Sequence, residues 1–329
     1  MTETSNQKVQ MQKIGIIGGG QAGQSHIESI QKIRSFEFSG IFDFDQSEAM
    51  RLHKKYQVPS FNSIEDLIDH SDIIDITYSG IPHFEMASLA LRKSRHVFID
   101  RPLVGSLSEA NKLIDLAFEA NVKVQIGHME RFKPAFISAS KHINQANYIE
   151  AHRLLPFSAS NSNKHVVLDM MIQDIDIILS IVDSGIKRIQ ARGHSLDSKE
   201  LLMVNAHIVF DNGCIANLTS SKMAPKASAN MHIYQEHESL MIDLLNNQVQ
   251  HFDKNSVPNQ LNTYSAGNNE STDYIQMELE SFISSIKNNT TPFVSLMDGS
   301  NALEVAFSIL DKVEYWQDVR VKETKFGRA

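Results

Sequence analysis

Residues 13–23 of this chain read Lys-Ile-Gly-Ile-Ile-Gly-Gly-Gly-Gln-Ala-Gly. A short apolar run ends in Gly-x-Gly-x-x-Gly at Gly18, Gly20 and Gly23, and residues 24–34 behind it have the pattern of a helix. No other stretch constrains the fold as strongly, because a buried strand that turns directly into a helix is the opening of a βαβ unit. Gly18 permits the tight turn, Gly20 lets the backbone approach a pyrophosphate, and Gly23 lets the helix lie close to its strand. Gln21 and Ala22 stand in the bend before that helix, whose free amides at the start face an anion. Residues 36–42 then read as a second strand that ends at Asp43, twenty residues after Gly23. A carboxylate there accepts hydrogen bonds from both ribose hydroxyls of NAD and repels the extra phosphate of NADP. The sequence therefore predicts a dinucleotide site that prefers NAD.

Composition narrows the class further. At 329 residues the chain exceeds the length at which one hydrophobic core keeps growing, so two domains are expected. Hydrophobic residues make up 42% and charged residues 21%, the proportions of a globular protein. The net charge of −8 is spread over both signs without a basic stripe, which argues against nucleic acid as a partner. No segment approaches the roughly 18 apolar residues of a membrane span, and residues 1–12 lack the apolar core of a secretion signal. The lone Cys214 leaves no internal disulfide framework, so a reducing, cytoplasmic location is expected. No metal is expected either, because neither His-Glu-x-x-His nor Cys-x-x-Cys occurs, and no Gly-x-Ser-x-Gly nucleophile elbow is present.

The first third alternates strand and helix patterns. After Asp43 come helices at 47–55 and 63–70, a strand at 73–77, a helix at 83–93, a strand at 96–100, a helix at 106–119 and a strand at 122–126. Such alternation gives an α/β domain, a Rossmann-type doubly wound parallel sheet, with ligands at the carboxyl ends of its strands. Its expected extent is residues 1–127. From residue 128 to 329 the pattern changes. Residues 201–210 and 214–221 flank Asp211-Asn212-Gly213, a hairpin signal, and residues 231–234 and 239–245 continue as strands. This predicts a C-terminal α+β domain on an open, mainly antiparallel sheet. Residues 246–272, rich in Asn, Ser and Gln, read as a surface loop. Two helices end the chain, the last with Leu303, Ala306, Phe307, Leu310 and Val313 as its core stripe.

A nucleotide-binding half followed by an open sheet domain resembles the Gfo/Idh/MocA family of sugar and cyclitol dehydrogenases. Gly18 to Gly23 followed by His26 matches the family's phosphate loop. Asp100-Arg101-Pro102-Leu103 stands where the family has Glu-Lys-Pro, and Leu168-Asp169-Met170-Met171-Ile172-Gln173-Asp174-Ile175-Asp176 where it has Leu-Asp-x-x-x-His-Asp-x-Asp. Gly127-His128-Met129-Glu130-Arg131-Phe132 is similar to the branch that oxidises the 3-hydroxyl of UDP-N-acetylglucosamine with NAD. Thr77-Tyr78 replaces the family's Thr-Pro turn, His83 keeps its place, and Ser94 replaces a glycine. The resemblance implies NAD as cofactor, held also by Tyr78, His83, Asp100 and Arg101. It implies a sugar or nucleotide-sugar substrate held by Arg101, His128, Arg131, Asp169 and Gln173. It also implies a homo-oligomer, dimer or tetramer, formed through the open sheet, and no membrane partner.

The departures fall on the chemistry. The resemblance puts Arg101, Asp169 and Gln173 at the reaction, where the family's lysine and histidine handle the hydroxyl proton. Glutamine does not titrate and arginine stays protonated. A positioned general base contributes roughly two to four powers of ten in rate. Two readings follow. Another group serves as base, with Asp169 first and Tyr78, His128 and His165 behind it; or the chain binds NAD and a sugar without efficient turnover. Asp169 and Gln173, four apart, share one helix face, whereas Asp174 and Asp176 do not, so at least one of these is expected to cap the helix or face solvent. His128 fits either a core position or a ligand. An NADP-linked reductase would need a cation beside Asp43, where the sequence has Phe44 and Asp45.

Overall fold

The computed structural model describes residues 11–78, 83–158, 165–195, 200–253, 262–265 and 272–326. They divide into two compact units, one running to Gly127 together with Asp273–Met297, the other from His128 to Thr272 and from Asp298 onward.

In the first unit, β1 (Gln12–Ile17), α1 (Gln21–Ile30), β2 (Phe36–Phe42), α2 (Gln46–Tyr56), α3 (Ile64–Asp69), β3 (Ile73–Ile76), α4 (His83–Arg92), β4 (His96–Ile99), α5 (Leu107–Ala120) and β5 (Val124–Ile126) follow in order. The five strands form one parallel sheet in the order β2-β1-β3-β4-β5. The strand order reverses direction between β1 and β3, which puts a switch point beside the glycine bend. Alternation along β1 explains how both faces are covered. Ile14 and Ile16 join Ile27, Ile30, Ala49, Leu52 and Phe98 in one buried core. Gly15 points to the opposite face, where a Cβ would fall 2.5 Å from Ser71 Oγ and 2.6 Å from Leu67 Cδ1, so α3 packs there on bare backbone. α5 starts at a reciprocal cap: Ser106 Oγ accepts from Glu109 N at 3.3 Å and Glu109 Oε2 accepts from Gly105 N at 3.0 Å. Ser94 holds φ at 56°, a left-handed position that glycine occupies without cost.

The second unit contains a 3-10 turn at Met129–Phe132, then α6 (Pro134–Ser140), β6 (Tyr148–Pro156), a π-helical turn at Val166–Met171, α7 (Ile172–Ile181) and β7 (Ile186–Ser195). There follow β8 (Leu201–Phe210), β9 (Ile215–Ala224), β10 (Ser228–Tyr234), β11 (Glu238–Asp243), β12 (Gln248–Asp253) and β13 (Asn262–Ser265). Eight strands form one sheet in the order β13-β12-β11-β10-β6-β9-β8-β7, with β6 and β9 its one parallel pair. The hairpin lies where the sequence places it, with Gly213 at φ 88° and Cys214 N donating to Asn212 Oδ1 at 3.0 Å. Residues 246–272, expected as loop, instead supply β12 and β13, because Val249 buries against the sheet while its polar neighbours face outward; 254–261 and 266–271 lie outside the described residues.

The last two helices are α8 (Tyr274–Lys287) and α9 (Leu296–Phe326). α8 packs on α1 in the first unit, where Asp273 accepts from Lys32 Nζ at 2.7 Å and from Ser29 Oγ at 2.9 Å. Residues 273–297, assigned by the sequence to the C-terminal domain, thus fold onto the N-terminal one. In α9 the buried apolar side chains up to residue 313 are Leu296, Ala302, Leu303, Val305, Ala306, Ile309 and Val313, a stripe rotated slightly from the expected one, which leaves Phe307 and Leu310 half-buried.

Candidate functional site

The first unit gathers the predicted cofactor residues along the carboxyl edge of its sheet. Gly18 N donates to Phe42 O at 2.9 Å, and Thr77 N donates to Ile17 O at 2.9 Å. Gly18, at φ 117°, lies so near the β3 end that a Cβ would sit 2.6 Å from Tyr78 N. Gly23 is as constrained, since a Cβ would fall 1.9 Å from Gly18 O. Gly20 is different: a Cβ there meets nothing within 4 Å. It is the N-cap residue of α1 and closes that end with no side-chain hydrogen bond, and the first turn carries no acidic residue. A helix end of this kind presents amides and the positive end of its dipole to an anion.

Asp43 is buried at the end of β2. Its Oδ2 accepts from Gly19 N at 2.5 Å and its Oδ1 from Asp45 N at 2.7 Å. Each carboxylate oxygen has two acceptor positions, so each keeps one for a diol after holding the loop. Two features beside it escaped the sequence. Arg51 on α2 donates to Gly19 O at 3.2 Å while pairing with Glu48 at 2.8 Å, so a cation does stand near Asp43, though tied to its own helix. Phe44, half-exposed, packs edge-on against Tyr78 at 5.2 Å between ring centroids. Helical spacing joins Arg51 to Glu48, but only the tertiary approach of α2 to the glycine bend brings them to Gly19.

At the β4 end, Asp100 Oδ1 accepts from Arg101 N at 2.8 Å and Arg101 Nε donates to Gly127 O at 3.0 Å. His83 ties this loop to the β3 end, with Nδ1 against Pro102 O and Nε2 against Tyr78 O. Beneath lies a buried polar layer. Asp75, Phe98 and Gln125 are register partners on β3, β4 and β5, and therefore share one face of the sheet. His26 Nδ1 meets Asp75 Oδ2 at 2.7 Å, and Gln125 Nε2 donates to Glu278 O at 2.9 Å. Burial alone would depress the His26 imidazolium, but the Asp75 carboxylate, with Asp100 and Glu278, more than reverses this and raises it to about 9. Burial, reinforced by the charge of Asp100, raises the Glu278 carboxyl to about 8.

In the second unit a π-helical turn leads into α7. His165 caps the π-helical turn, its Nδ1 accepting from Val167 N and Leu168 N at 3.2 Å each. Asp169 answers, its Oδ2 accepting from His165 N at 2.6 Å. This reciprocal cap commits the Nδ1 lone pair of His165, and burial, the largest influence, also lowers its basicity. Gln173 Nε2 donates to Asp169 O at 2.7 Å, which leaves Oε1 as the acceptor end of the amide. Asp169 and Gln173 are thus on one helix face, as expected.

Arg131, expected to hold substrate, forks onto Asp176 with bonds of 2.7 and 2.6 Å in a buried pair, and a second oxygen from Asp298 lies at 3.4 Å. Its charge is committed within the fold. Neither Asp174 nor Asp176 caps or faces solvent, contrary to expectation: Asp174 is buried against Arg153, at 2.7 Å, which also meets Glu130 at 3.1 Å. The partners of both carboxylates lie far away in sequence, which hides their role from periodicity. His128 is buried just before the 3-10 turn.

A family model described as an oxidoreductase family with an NAD-binding Rossmann fold, Gfo/Idh/MocA, matches residues 12–128. The UDP-N-acetylglucosamine 3-dehydrogenase of Acidithiobacillus ferrooxidans is 26% identical over 310 residues, covering 92% of this chain and 97% of that protein. A crystal form of that enzyme superposes with a TM-score of 0.86 at 25% identity, over 93% of this chain and 98% of the other. The scyllo-inositol dehydrogenase of Lactobacillus casei, solved with NAD(H) and scyllo-inositol, shares the fold with a TM-score of 0.79 at 21% identity, over 93% and 98% of the two chains.

Proposed function

We propose that this chain, whose residues 12–128 form a Gfo/Idh/MocA oxidoreductase domain, is an NAD-dependent dehydrogenase that transfers hydride between a secondary sugar hydroxyl and the nicotinamide. The leading substrate is a nucleotide-activated amino sugar, UDP-N-acetylglucosamine at its 3-position, the substrate named for the A. ferrooxidans relative. One observation carries the cofactor assignment: an uncapped α1 end at Gly20 stands beside a buried carboxylate, Asp43, that retains an acceptor position on each oxygen. The amides of Gln21, Ala22 and Gly23, with Gly18 packed on the β3 end and Gly20 leaving the approach open, would hold the diphosphate. Asp43 holds the ribose hydroxyls and disfavours a 2′-phosphate. Phe44 and Tyr78 offer an aromatic wall, and His83, Asp100 and Arg101 form the far end of the site. The bound cofactor supplies a hydride acceptor; the remaining chemistry belongs to the chain.

That remaining chemistry is the proton. Arg101 remains a cation and anchors an oxygen without accepting its proton. By the resemblance, Gln173 Oε1 would accept a hydroxyl hydrogen bond and orient the group, and Asp169 would be the carboxylate in the role of base. His165 is displaced from the base role by its capping bonds. The second reading, a family member that binds NAD and a sugar but turns over poorly, is favoured by the tethering of both Gln173 and Asp169 to backbone. One experiment separates the two readings. Purified protein is given NAD with UDP-N-acetylglucosamine and a panel of free sugars, and reduced nicotinamide is followed alongside the variant carrying Arg101→Lys and Gln173→His. Native turnover that the double variant does not raise supports the first reading. A native rate near zero that the variant lifts by about a hundredfold or more supports the second. Neither cofactor binding nor turnover in either protein overturns both. We also place a homo-oligomer contact on the open sheet, where Met203, Tyr234 and Phe252 are exposed; light scattering showing a monomer would refute it.

A further inference from the structure

We propose that Glu278 is a proton-linked sensor of the cofactor's charge, releasing a proton when oxidised NAD binds and keeping it when the reduced form binds. The proposal rests on the cofactor reading above and extends it to residues that reading leaves unused.

The geometry is a shortage of donors. Among the described residues, Asp75 Oδ1, Gln125 Oε1 and Glu278 Oε1 are buried without a hydrogen-bond partner. All three are acceptor oxygens in one layer: Asp75 and Gln125 flank Phe98 on the sheet, and Glu278 lies over Gln125 through its own carbonyl. Their residues are no more than 3% exposed. Buried acceptors in such numbers are costly unless a donor reaches them. A proton on Glu278 converts one of these acceptors into a donor, and no other change of charge state in the layer does so without disturbing the His26–Asp75 pair.

The titratable and charged groups facing this layer are few. They are His26 from α1, Asp75 from β3, Asp100 and Arg101 from the end of β4, and Glu278 itself from α8. Burial, and then Asp100, keep the proton on Glu278, whereas His26 and Arg101 favour its loss, and the balance falls at about 8. Asp100 and Arg101 sit where an open parallel sheet receives its ligand. A pyridinium held beside Asp100 and Arg101 would add a positive charge and favour the Glu278 carboxylate, as Arg101 does; the neutral dihydropyridine would add none. The proton count follows. NAD binding frees one proton from Glu278. With the cofactor bound, oxidation would move hydride from the sugar carbon to the nicotinamide and free the hydroxyl proton, and the lost pyridinium charge would let the Glu278 carboxylate take up one proton. Net proton release to solvent then accompanies NAD binding rather than hydride transfer. Glu278 is in this sense a positioning residue, acting on the cofactor through charge and not by contact.

The test is calorimetric titration of the whole protein at pH 7 with NAD and separately with NADH, each in phosphate and in Tris, whose ionisation enthalpies differ. Roughly one proton released with NAD and none with NADH is expected, and the Glu278→Gln variant should bind both forms with the release abolished. NAD affinity should rise up to tenfold per pH unit below about pH 8 in native protein and much less in the variant. Infrared difference spectra of native protein serve if the variant fails to fold: a protonated carboxyl band should disappear on adding NAD and persist with NADH. Binding of both forms with equal proton release, or a band that NAD leaves in place, overturns the proposal while the cofactor reading stands. Failure of both nucleotides to bind overturns the two together.

Discussion

Replacing Gly20 by alanine separates cofactor binding from folding. A Cβ at this position meets no atom within 4 Å, and the residue's φ of −65° is open to any side chain. Two small effects oppose each other in the folded protein: alanine is a poorer N-cap than glycine, and it stiffens the unfolded chain by about 0.4–1 kcal/mol. Stability should therefore change by no more than about 1 kcal/mol, a shift of a few degrees in Tm. Binding is another matter if the diphosphate sits as proposed, because the methyl group would then stand in its path to the α1 amides. Hydrogen bonds to a charged group contribute about 1.5–3 kcal/mol each, so losing two weakens NAD by roughly 3–6 kcal/mol, about a hundredfold to ten-thousandfold. Calorimetric titration with NAD beside a thermal melt reads both quantities. The contrast is Gly23→Ala, whose Cβ would collide with Gly18 O at 1.9 Å, and which should lose stability as well as binding. A Gly20→Ala protein that binds NAD within about threefold of native would refute the placement of the diphosphate at this helix end.

Other perturbations test separate parts of the account. Asp43→Asn keeps an acceptor but removes the charge, and should shift preference toward NADP by about tenfold or more, since unit charges 4 Å apart at an effective dielectric of about 20 repel by about 4 kcal/mol; unchanged relative affinities would contradict the ribose assignment. Arg153→Met leaves Asp174 a buried carboxylate without its guanidinium, while Glu130 keeps Lys133 at 3.0 Å, and should cost about 3–5 kcal/mol in urea unfolding, whereas a loss under 1 kcal/mol would show the Arg153 pairing to be dispensable. Ser94→Gly relieves a left-handed residue and should stabilise by about 0.5–1 kcal/mol, seen as a higher melting temperature. The pH dependence of stability has a definite sign. Glu278 rises from 4.5 to about 8 and His26 from 6.5 to about 9 on folding, so both native groups hold protons that the unfolded chain gives up. Their contributions are complete below 4.5 and 6.5 respectively and fade as pH climbs through 8 and 9. Stability should fall by on the order of 2–4 kcal/mol between pH 6.5 and 8.5. A urea midpoint that stays flat or rises over that interval would count against the buried layer as described.

Local chemistry made the nucleotide-binding half legible. Gly18 and Gly23 of the first bend answer to a backbone approach, and apolar strands buried on both faces give uninterrupted Ile and Val runs that stand out from helices. The second unit was harder to read, for physical reasons. β6, which lies between β9 and β10, puts Arg153 at an inward position, and its buried pairing with Asp174 and Glu130 breaks the alternation by which a strand is recognised. β7 is an edge strand with Lys187, Arg188, Gln190 and Arg192 along it, a composition that discourages edge pairing but reads as a loop. The pairing of Arg131 with Asp176 joins residues 45 apart, so a side chain that local motif places at a ligand is taken up by the core. Likewise the reciprocal cap of His165 and Asp169 begins on a π-helical turn, one residue longer than the usual capping spacing.

The central claim is that this chain moves hydride from a sugar carbon to NAD. The most direct measurement uses UDP-N-acetylglucosamine carrying deuterium at carbon 3, incubated with NAD and native protein, with the nicotinamide product analysed by mass spectrometry and NMR. Deuterium at carbon 4 of the reduced nicotinamide, together with a 3-keto sugar, is the result the account predicts. Reduced cofactor without the label would contradict the proposed carbon, and no reduced cofactor from this or any other sugar, with NAD bound, would contradict the dehydrogenase itself.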